Sequence, residues 1–269
     1  MRVLVPGGCG FLGSNFVGQL AAAGHEVVVL DRLTDFGNLA RLEGIPHEFV
    51  QGDVADAVTA TGAADGCQAI VNFAAETSLD ASALASGGFI VTDVFGTHVL
   101  LEFARVAGIR YVQVSTSEAS RPTTPPTASK AGADLQALAY AEAGVNVSIV
   151  RGARAYGPFQ HPAVEPAASI VEALARGDQP VEPLPGACVH TDDHSAAVDL
   201  VLHEGAAGEI YSVGEEDLAI RALGWEPRHA LPAGLTETVD WYREHRDWWE
   251  PLLGDGRSFA EQYARRSGG

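Results

Sequence analysis

Three glycines near the start of the chain have the spacing of a dinucleotide-binding loop. Gly7, Gly10 and Gly13 form a G-x-x-G-x-x-G pattern between an apolar segment typical of a strand and a segment typical of a helix. The first glycine permits a tight turn, the second lets the backbone approach a pyrophosphate, and the third lets the helix pack closely on the strand. The phosphate would then face the positive N-terminal end of the helix, beside Phe11 and Leu12.

An aspartate follows the loop at the distance expected of a residue that binds the cofactor ribose. Asp31 ends the next apolar run, about 20 residues after the loop. A carboxylate there accepts hydrogen bonds from both ribose hydroxyls and repels a 2′-phosphate, which favours NAD over NADP. The neighbouring Arg32 could weaken that preference. Asp53 and Val54 follow the third predicted strand, where we expect them to meet the adenine.

Strand-like and helix-like segments alternate through the first half of the chain. Strands are predicted at 2–5, 26–30, 48–51, 69–73, 111–115 and 145–150, and helices at 11–23, 97–107 and 128–143. This alternation predicts an α/β fold, a Rossmann-type doubly wound parallel sheet. Phe73, Ala74 and Ala75, at the end of the fourth strand, should line the pyrophosphate and ribose. We place the NAD-binding domain at 1–150 and a reduced C-terminal α/β substrate lobe, interleaved with it, at 151–269.

The composition limits the partners that this protein can have. The formal net charge of −18 disfavours nucleic acid and acidic membrane surfaces. No apolar run approaches the ~18 residues that a membrane-spanning helix needs, and the N-terminal residues do not resemble a secretory leader, so we expect a cytoplasmic protein. The three cysteines match no metal-binding spacing, and no metal site is predicted.

Ten stretches, in order along nearly the whole chain, resemble the extended short-chain dehydrogenase/reductase (NAD-dependent epimerase/dehydratase) family, and most of all its dTDP-glucose 4,6-dehydratases. They include VPGGCGFLGSNFV, DRLTDFGNL, FVQGDVAD, VTDVFGTHVLLEFARVAGIRYVQVSTSE, RGARAYGPFQHP and LGWEPRHALPAGLTETVDWYREHRDWWEPLL. The resemblance implies NAD as the cofactor. It also implies a homodimer that pairs through the helices near 97–107 and 128–143, with apolar faces from Val99, Leu100, Phe103, Leu135, Leu138 and Ala139.

The reactive residues of that family are only partly present. The family carries a Tyr-x-x-x-Lys pair after the fifth strand, whereas this chain has Pro126 and Lys130. It also carries Thr-Asp-Glu, whose aspartate is the acid for water loss and whose glutamate removes a proton next to the carbonyl. This chain reads Thr116, Ser117 and Glu118 there. The resemblance therefore leaves Glu118 as a base, Ser117 as a hydrogen-bond donor, and Lys130 as the residue that holds the nicotinamide ribose.

Other departures affect the expected substrate site. The segments between Glu118 and Lys130 and between Gly214 and Leu223 are shorter than in the family, and the second of these normally carries much of the nucleotide-diphosphate site. The arginine expected just before His190 is absent, and paired asparagines are replaced by Arg154 and Ala155. His161 and His190 are further candidates for the cleft, although a lone histidine is more often structural, and His194 is a weaker one.

Three functional hypotheses follow. The first is an atypical NAD-binding enzyme, which performs an elimination, isomerisation or redox step on a sugar or natural-product intermediate in secondary metabolism. The second is a catalytically inactive pseudoenzyme that binds NAD and serves as a scaffold or partner. The third is an ordinary dTDP-glucose 4,6-dehydratase, which the missing tyrosine disfavours. Lys130 is the only lysine among 17 basic residues, and its retention at this position favours cofactor binding in each case.

Overall fold

A computed structural model describes residues 1–34, 37–76, 87–177, 186–214 and 218–253. The C-terminal residues from Gly254, which the sequence suggests form a helix or a frayed tail, lie outside the described residues. Within the described part, no helix combines the length and the apolar character needed to cross a membrane.

Seven parallel strands form the main sheet. They are β1 (Arg2–Pro6), β2 (Glu26–Asp31), β3 (Glu48–Gln51), β4 (Ala69–Asn72), β5 (Arg110–Thr116), β6 (Val147–Gly152) and β9 (Ile210–Val213). Their order is β3-β2-β1-β4-β5-β6-β9. The order reverses between β1 and β4, which is the point where open α/β sheets bind ligands. Two short strands, β7 (Arg154–Tyr156) and β8 (Cys188–His190), form a separate parallel pair.

The described residues form nine helices, which either flank the main sheet or belong to the C-terminal half. They are α1 (Phe11–Ala22), α2 (Ala57–Ala64), α3 (Gly96–Ala107), α4 (Pro125–Glu142), α5 (Ala167–Arg176), α6 (Thr191–Glu204), α7 (Leu218–Ala222), α8 (Leu231–Glu244) and α9 (Arg246–Trp249). A π-helical segment, Ile90–Phe95, runs directly into α3, and 3-10 turns lie at Leu39–Leu42, Ser117–Ser120 and Glu250–Leu253.

Alternating side chains of the strands supply two apolar cores. Val3 and Val5 of β1 pack in one cluster with Phe16 of α1. Leu4 points to the opposite face and packs in a second cluster with Leu100 of α3. A strand that is apolar on both sides belongs in a sheet with helices on both faces. The predicted doubly wound parallel α/β fold is confirmed.

The C-terminal half forms a small lobe and also completes the main sheet. Helices α5, α8 and α9 share a third apolar cluster, in which Val171, Tyr242 and Trp249 are buried. Strand β9 lies in this half of the chain and pairs with β6 in the main sheet. A strand beyond residue 150 therefore extends the sheet of the N-terminal half, and the division into a domain at 1–150 and a lobe at 151–269 stays a prediction.

The helix that carries Lys130 begins three residues earlier than the sequence suggests. We expected it to start at Ala128, but α4 begins at Pro125. The side chain of Thr124 accepts a hydrogen bond from the amide of Thr127, and the prolines occupy the first turn, where their missing N–H groups cost nothing. As a result Pro126 and Lys130 both lie on the same helix, one turn apart.

The burial of His194 predicts a pH dependence of stability. This α6 residue is fully buried, its ring nitrogens have no hydrogen-bond partner among the described atoms, and burial lowers its pKa to about 4. The unfolded chain binds a proton near pH 6.5, so the folded state loses relative stability as the pH falls from about 6.5 to 4. We expect the free energy of unfolding to fall by about 3 kcal/mol over this window.

Urea unfolding at several pH values measures this fall. His194→Gln should flatten the pH dependence, whereas His203→Gln, a change at an exposed histidine of the same helix, should keep it. An unchanged slope in His194→Gln would contradict the assignment.

Candidate active site

A cavity of about 590 Å³ lies at the carboxyl end of the main sheet, where the strand order reverses. Its volume is within the range of small-molecule and cofactor sites. All the residues predicted to bind the cofactor line it, together with Thr116: Gly7, Gly10, Phe11, Leu12, Gly13, Asp31, Arg32, Asp53, Val54, Phe73, Ala74, Ala75 and Lys130. The fold therefore brings these residues, which are distant in sequence, to one concave surface.

The glycine loop allows three backbone segments to approach each other. Gly7 has a φ of +76°, and a Cβ atom there would lie 2.7 Å from the amide nitrogen of Ala74. A Cβ atom on Gly13 would lie 2.2 Å from the carbonyl oxygen of Gly7. Gly10 precedes α1 without a side-chain cap, so the first amides of the helix have no side-chain acceptor from that residue and point toward an anion site.

Asp31 is held in place by the loop that it faces. Its carboxylate accepts hydrogen bonds from the amides of Cys9 and Leu33, both at 2.9 Å. Each oxygen keeps a lone pair for a further donor. The geometry is compatible with the predicted contact to ribose hydroxyls.

Arg32 is engaged by two carboxylates of the cavity. Its guanidinium lies 3.0 Å from Asp53 and 2.6 Å from the buried Glu76. A cation that is neutralised twice is a poor partner for a 2′-phosphate. The structure therefore argues against the weakening of the NAD preference that the sequence position of Arg32 suggested.

The buried side-chain amide of Asn72 fixes the path of the backbone after β4. Asn72 donates a hydrogen bond to the Tyr111 hydroxyl at 3.0 Å and accepts one from the Ala74 amide at 3.0 Å. The amide of Phe73 donates to the carbonyl of Pro6 at 2.9 Å. These bonds direct residues 73–75 along the cavity wall beside the glycine loop.

Lys130 reaches the cavity from α4 and meets a buried carboxylate. Its Nζ atom is 3.4 Å from the carbonyl oxygen of Ala74 and 3.9 Å from Oδ1 of Asp93. Asp93 also accepts a hydrogen bond from the Glu76 amide at 2.9 Å. Burial raises the pKa of Asp93, and the neighbouring ammonium opposes that rise. Pro126, at the position of the family tyrosine, also lines the cavity and has no proton to exchange.

The predicted acid–base residues after β5 are not all brought into the cavity. Thr116 lines it, but Ser117 and Glu118 are not among its lining residues. The chain enters a 3-10 turn at Ser117, in which the Thr116 hydroxyl accepts a hydrogen bond from the Glu118 amide at 3.3 Å. The Glu118 residue is exposed, and its role as a base stays a prediction.

Two further residues line the cavity, Arg41, which the sequence does not indicate, and His161, which is one of the predicted histidine candidates. Arg41 is buried, donates hydrogen bonds to the carbonyls of Cys9 at 3.0 Å and Phe159 at 3.1 Å, and has a pKa that burial lowers to about 10. It belongs to no motif, so only its charge in an acidic chain could have indicated it. His161 lines the cavity, with Nδ1 accepting from the Ala163 amide at 3.1 Å.

The other two histidine candidates are not among the residues that line the cavity. His190 is buried at the start of α6, where its Nδ1 atom accepts a hydrogen bond from the Asp192 amide at 3.3 Å. Its ring stacks on that of His229, with centroids 4.0 Å apart. His194 is buried in the protein interior.

Comparison with known proteins identifies the family. A family model described as the NAD dependent epimerase/dehydratase family matches residues 3–214. The match covers most of the chain, and the chain therefore belongs to that family. This membership confirms the prediction of NAD as the cofactor, whereas the contacts of individual residues with it stay predictions.

Three similar proteins, one curated relative and two solved structures, share one enzyme name. A dTDP-glucose 4,6-dehydratase of Streptomyces niveus is 35% identical, with 94% of this chain and 96% of that protein covered. The crystal structure of DesIV, a dTDP-glucose 4,6-dehydratase from Streptomyces venezuelae with NAD and TYD bound, has 38% identity and a TM-score of 0.81, covering 94% of this chain and 100% of that one. The dTDP-glucose 4,6-dehydratase of Bacillus anthracis in complex with NAD has 30% identity and a TM-score of 0.83, covering 94% and 99%.

This chain is shorter than its relatives. The alignment with the Streptomyces niveus protein runs over 324 residues, against 269 in this chain, so at least 55 aligned positions have no counterpart here. Because 96% of that relative is still covered, the shortening is internal to the aligned region. The predicted resemblance, including the shortened form, is confirmed.

The close approach at Gly13 predicts different outcomes for two helical glycines. Gly13→Ala should abolish NAD binding or the fold around the loop, because its methyl group would overlap the carbonyl of Gly7. Gly62→Ala in α2 meets no heavy atom within 4 Å, and alanine is the better helix former by about 1 kcal/mol. Calorimetry with NAD and thermal unfolding measure both effects. NAD affinity that is unchanged in Gly13→Ala would contradict this account.

Proposed function

We propose that this protein binds NAD in the cavity and performs an atypical elimination, isomerisation or redox step on a sugar or natural-product intermediate. The proposal rests on one observation. The residues expected to bind NAD all line the cavity, whereas the residues expected to perform the reaction differ from those of the family. The glycine loop, Asp31 and Lys130 line one cavity, while Pro126 stands where the family has its tyrosine. In this role Lys130 holds the nicotinamide ribose, and the first amides of α1 meet the pyrophosphate.

The missing base decides which chemistry is open to this site. Oxidation of an alcohol by NAD needs a group that takes the hydroxyl proton, and general-base catalysis contributes about 10²–10⁴-fold to rate. None of the described residues that line the cavity is a tyrosine. Acid–base groups on the substrate itself, or His161 and Lys130 in the cavity, would have to move the proton. A non-redox step, in which NAD is structural and Glu118 moves a proton, requires that Glu118 turn toward the cavity.

The shortened chain supports a substrate other than a nucleotide sugar. The family places much of its nucleotide-diphosphate site in a segment that corresponds to Gly214–Leu223 here, and it has an arginine before His190 that this sequence lacks. In a chain with a net charge of −18, a diphosphate would find few replacement cations. The occurrence of similar dehydratases in Streptomyces favours a step in secondary metabolism.

A second function, the NAD-binding pseudoenzyme, is favoured by the same altered centre. Three of the family's proton-transfer groups are missing from the cavity, because Pro126 replaces the tyrosine, Ser117 replaces the aspartate, and Glu118 is exposed outside the lining. Such a protein would retain the fold, the cofactor and the surface that contacts a partner. The two functions differ in whether any substrate is converted.

Cofactor binding and turnover test these proposals separately. Calorimetry should detect NAD binding, and Lys130→Ala should weaken it at least about tenfold by removing a charged hydrogen-bond donor. Glu118→Gln, outside the cavity lining, is the matched control and should leave NAD affinity unchanged. Unchanged affinity in Lys130→Ala would refute the cofactor assignment.

Turnover is tested with three kinds of probe: dTDP-glucose, nucleotide-free hexoses, and nucleotide-free 4-keto hexoses. Nicotinamide absorbance measures hydride transfer, and deuterium uptake from D₂O measures proton transfer at carbon. Conversion of a nucleotide-free sugar that Glu118→Gln abolishes supports the enzyme with Glu118 as its base. No conversion of any probe supports the pseudoenzyme. Efficient conversion of dTDP-glucose would overturn both in favour of an ordinary dehydratase.

We also propose a homodimer that pairs through α3 and α4. These helices lie side by side, with the Tyr140 hydroxyl of α4 bonded to Glu102 of α3. Among the six residues expected to form the apolar face, Val99 and Leu100 are buried within the protomer. The expectation was wrong for those two, because they pack against the sheet. Leu135, one of the six, is 68% exposed and keeps its place in the proposed contact, and Phe95, at the end of the π-helical segment before α3, is 50% exposed and joins it.

Leu135→Glu should convert this dimer to a monomer, because it places a charge in an apolar contact. Leu218→Glu, at a residue of α7 that is 85% exposed, is the control and should leave the mass unchanged. Light scattering at micromolar concentration measures the mass. A wild-type monomer at that concentration would overturn the dimer.

A further inference from the structure

Two histidines and an aspartate form a cluster on the side of the molecule where the turn after α1 meets the C-terminal half of α6. Each of His25, Asp199 and His203 offers one potential ligand atom, and these atoms all lie within 4.8 Å of one another. None of the three lines the cofactor cavity. The cluster is therefore separate from the site described above.

The local structure fixes the backbone positions of these three residues. Asp199 and His203 are four residues apart on α6, so they share one face of the helix. The amide of His25 donates to the carbonyl of Leu20 at 3.0 Å, in the turn that ends α1. The two helices are also joined at their other ends, where the Asn15 side chain donates to Asp192 at 2.7 Å. The three potential metal ligands therefore lie on two elements that are joined by a hydrogen bond.

The hydrogen bonds of the cluster leave it suited to a cation. Nδ1 of His203 lies 2.9 Å from the carbonyl oxygen of Asp199. A carbonyl only accepts, so Nδ1 carries the proton and Nε2 keeps its lone pair, as in histidines that bind metals. Oδ1 of Asp199 is shielded from solvent and has no hydrogen-bond partner among the described atoms, although it lies 3.5 Å from Nδ1 of His203. Such an oxygen gains from a bound cation.

His25 brings the second imidazole to the cluster from the turn after α1. The centroids of the His25 and His203 rings are 5.7 Å apart. The Met1 amino nitrogen lies 3.2 Å from Nδ1 of His25, and an ion bound through that nitrogen has to displace this contact. An N-terminal extension would disturb this neighbourhood, so the test requires a chain without a tag.

A second cluster, of His190, Asp192 and His229, brings its potential ligand atoms within the same distance of one another. Its two rings are packed more closely, with centroids 4.0 Å apart, against 5.7 Å for the rings of His25 and His203. Nδ1 of His190 already accepts from the Asp192 amide, and Nδ1 of His229 lies 3.1 Å from Asp193. This cluster supplies a matched control.

We propose that His25, Asp199 and His203 bind one divalent transition-metal ion of the zinc class. Two imidazoles and one carboxylate suit Zn²⁺, Ni²⁺ or Cu²⁺, whereas Mg²⁺ and Ca²⁺ prefer oxygen ligands alone. The net charge of −18 raises the local concentration of cations. An ion at this place ties the end of α1 to the end of α6 and stabilises the folded protein by linkage.

Zinc titration of the metal-free, untagged full chain tests the site. Calorimetry should show one equivalent of Zn²⁺ bound, and the ion should raise the thermal midpoint. His25→Ala and His203→Ala should each weaken zinc binding at least about tenfold and remove the rise in the midpoint. Asp199→Asn, which keeps the shape of the side chain, should weaken it as well. Binding should also weaken at acid pH, where protons compete for the imidazoles.

The control is His229→Ala, which should leave the zinc affinity unchanged, and Mg²⁺ or Ca²⁺ should not compete. Loss of zinc binding in His229→Ala would overturn the assignment. So would an affinity that is unchanged in His25→Ala and His203→Ala, or the absence of zinc binding by the wild-type chain.

Discussion

The close contact between Gly7 and Gly13 is the constraint on which the candidate cofactor site of this protein depends. With no Cβ atom on either residue, the first turn of α1 closes against the end of β1, and that end closes against the segment after β4. The helix N-terminus, Asp31 and the wall at Phe73–Ala75 all take their positions from this closure. A methyl group at Gly13 would open the loop and separate the groups that surround the pyrophosphate.

Charged residues of both signs run from that loop toward α4. Asp53, Arg32 and Glu76 are joined by ion pairs, and the Glu76 amide leads to Asp93, which lies beside Lys130. Each charge on this path has an opposite neighbour, which reduces the cost of burial. The consequence for function is that Arg32 and Lys130 already have anionic neighbours before a ligand enters, so these two cations are less available to an anionic substrate.

The sheet and the residues that line the cavity could be predicted from the sequence because both follow from local patterns, and the contacts of those residues with the cofactor stay predictions. Apolar runs gave β1 to β6, and glycine spacing gave the loop. The short strand β9 was missed because four residues of mixed polarity have no distinctive period. Arg41 was missed because its place depends on tertiary contacts with Cys9 and Phe159. The position of Glu118 could not be predicted either, since a hydrogen bond to Thr116 turns the chain there.

The chain has one lysine, Lys130, and its side chain is only 16% exposed in the cofactor cavity. Every other basic side chain is an arginine, which does not react with acylating reagents at neutral pH. Apart from the N-terminal amine, an amine-selective label can therefore attach to this protein at a single side chain. Occupancy of the cavity is then readable as protection of Lys130 from covalent modification, without knowledge of the substrate and without turnover.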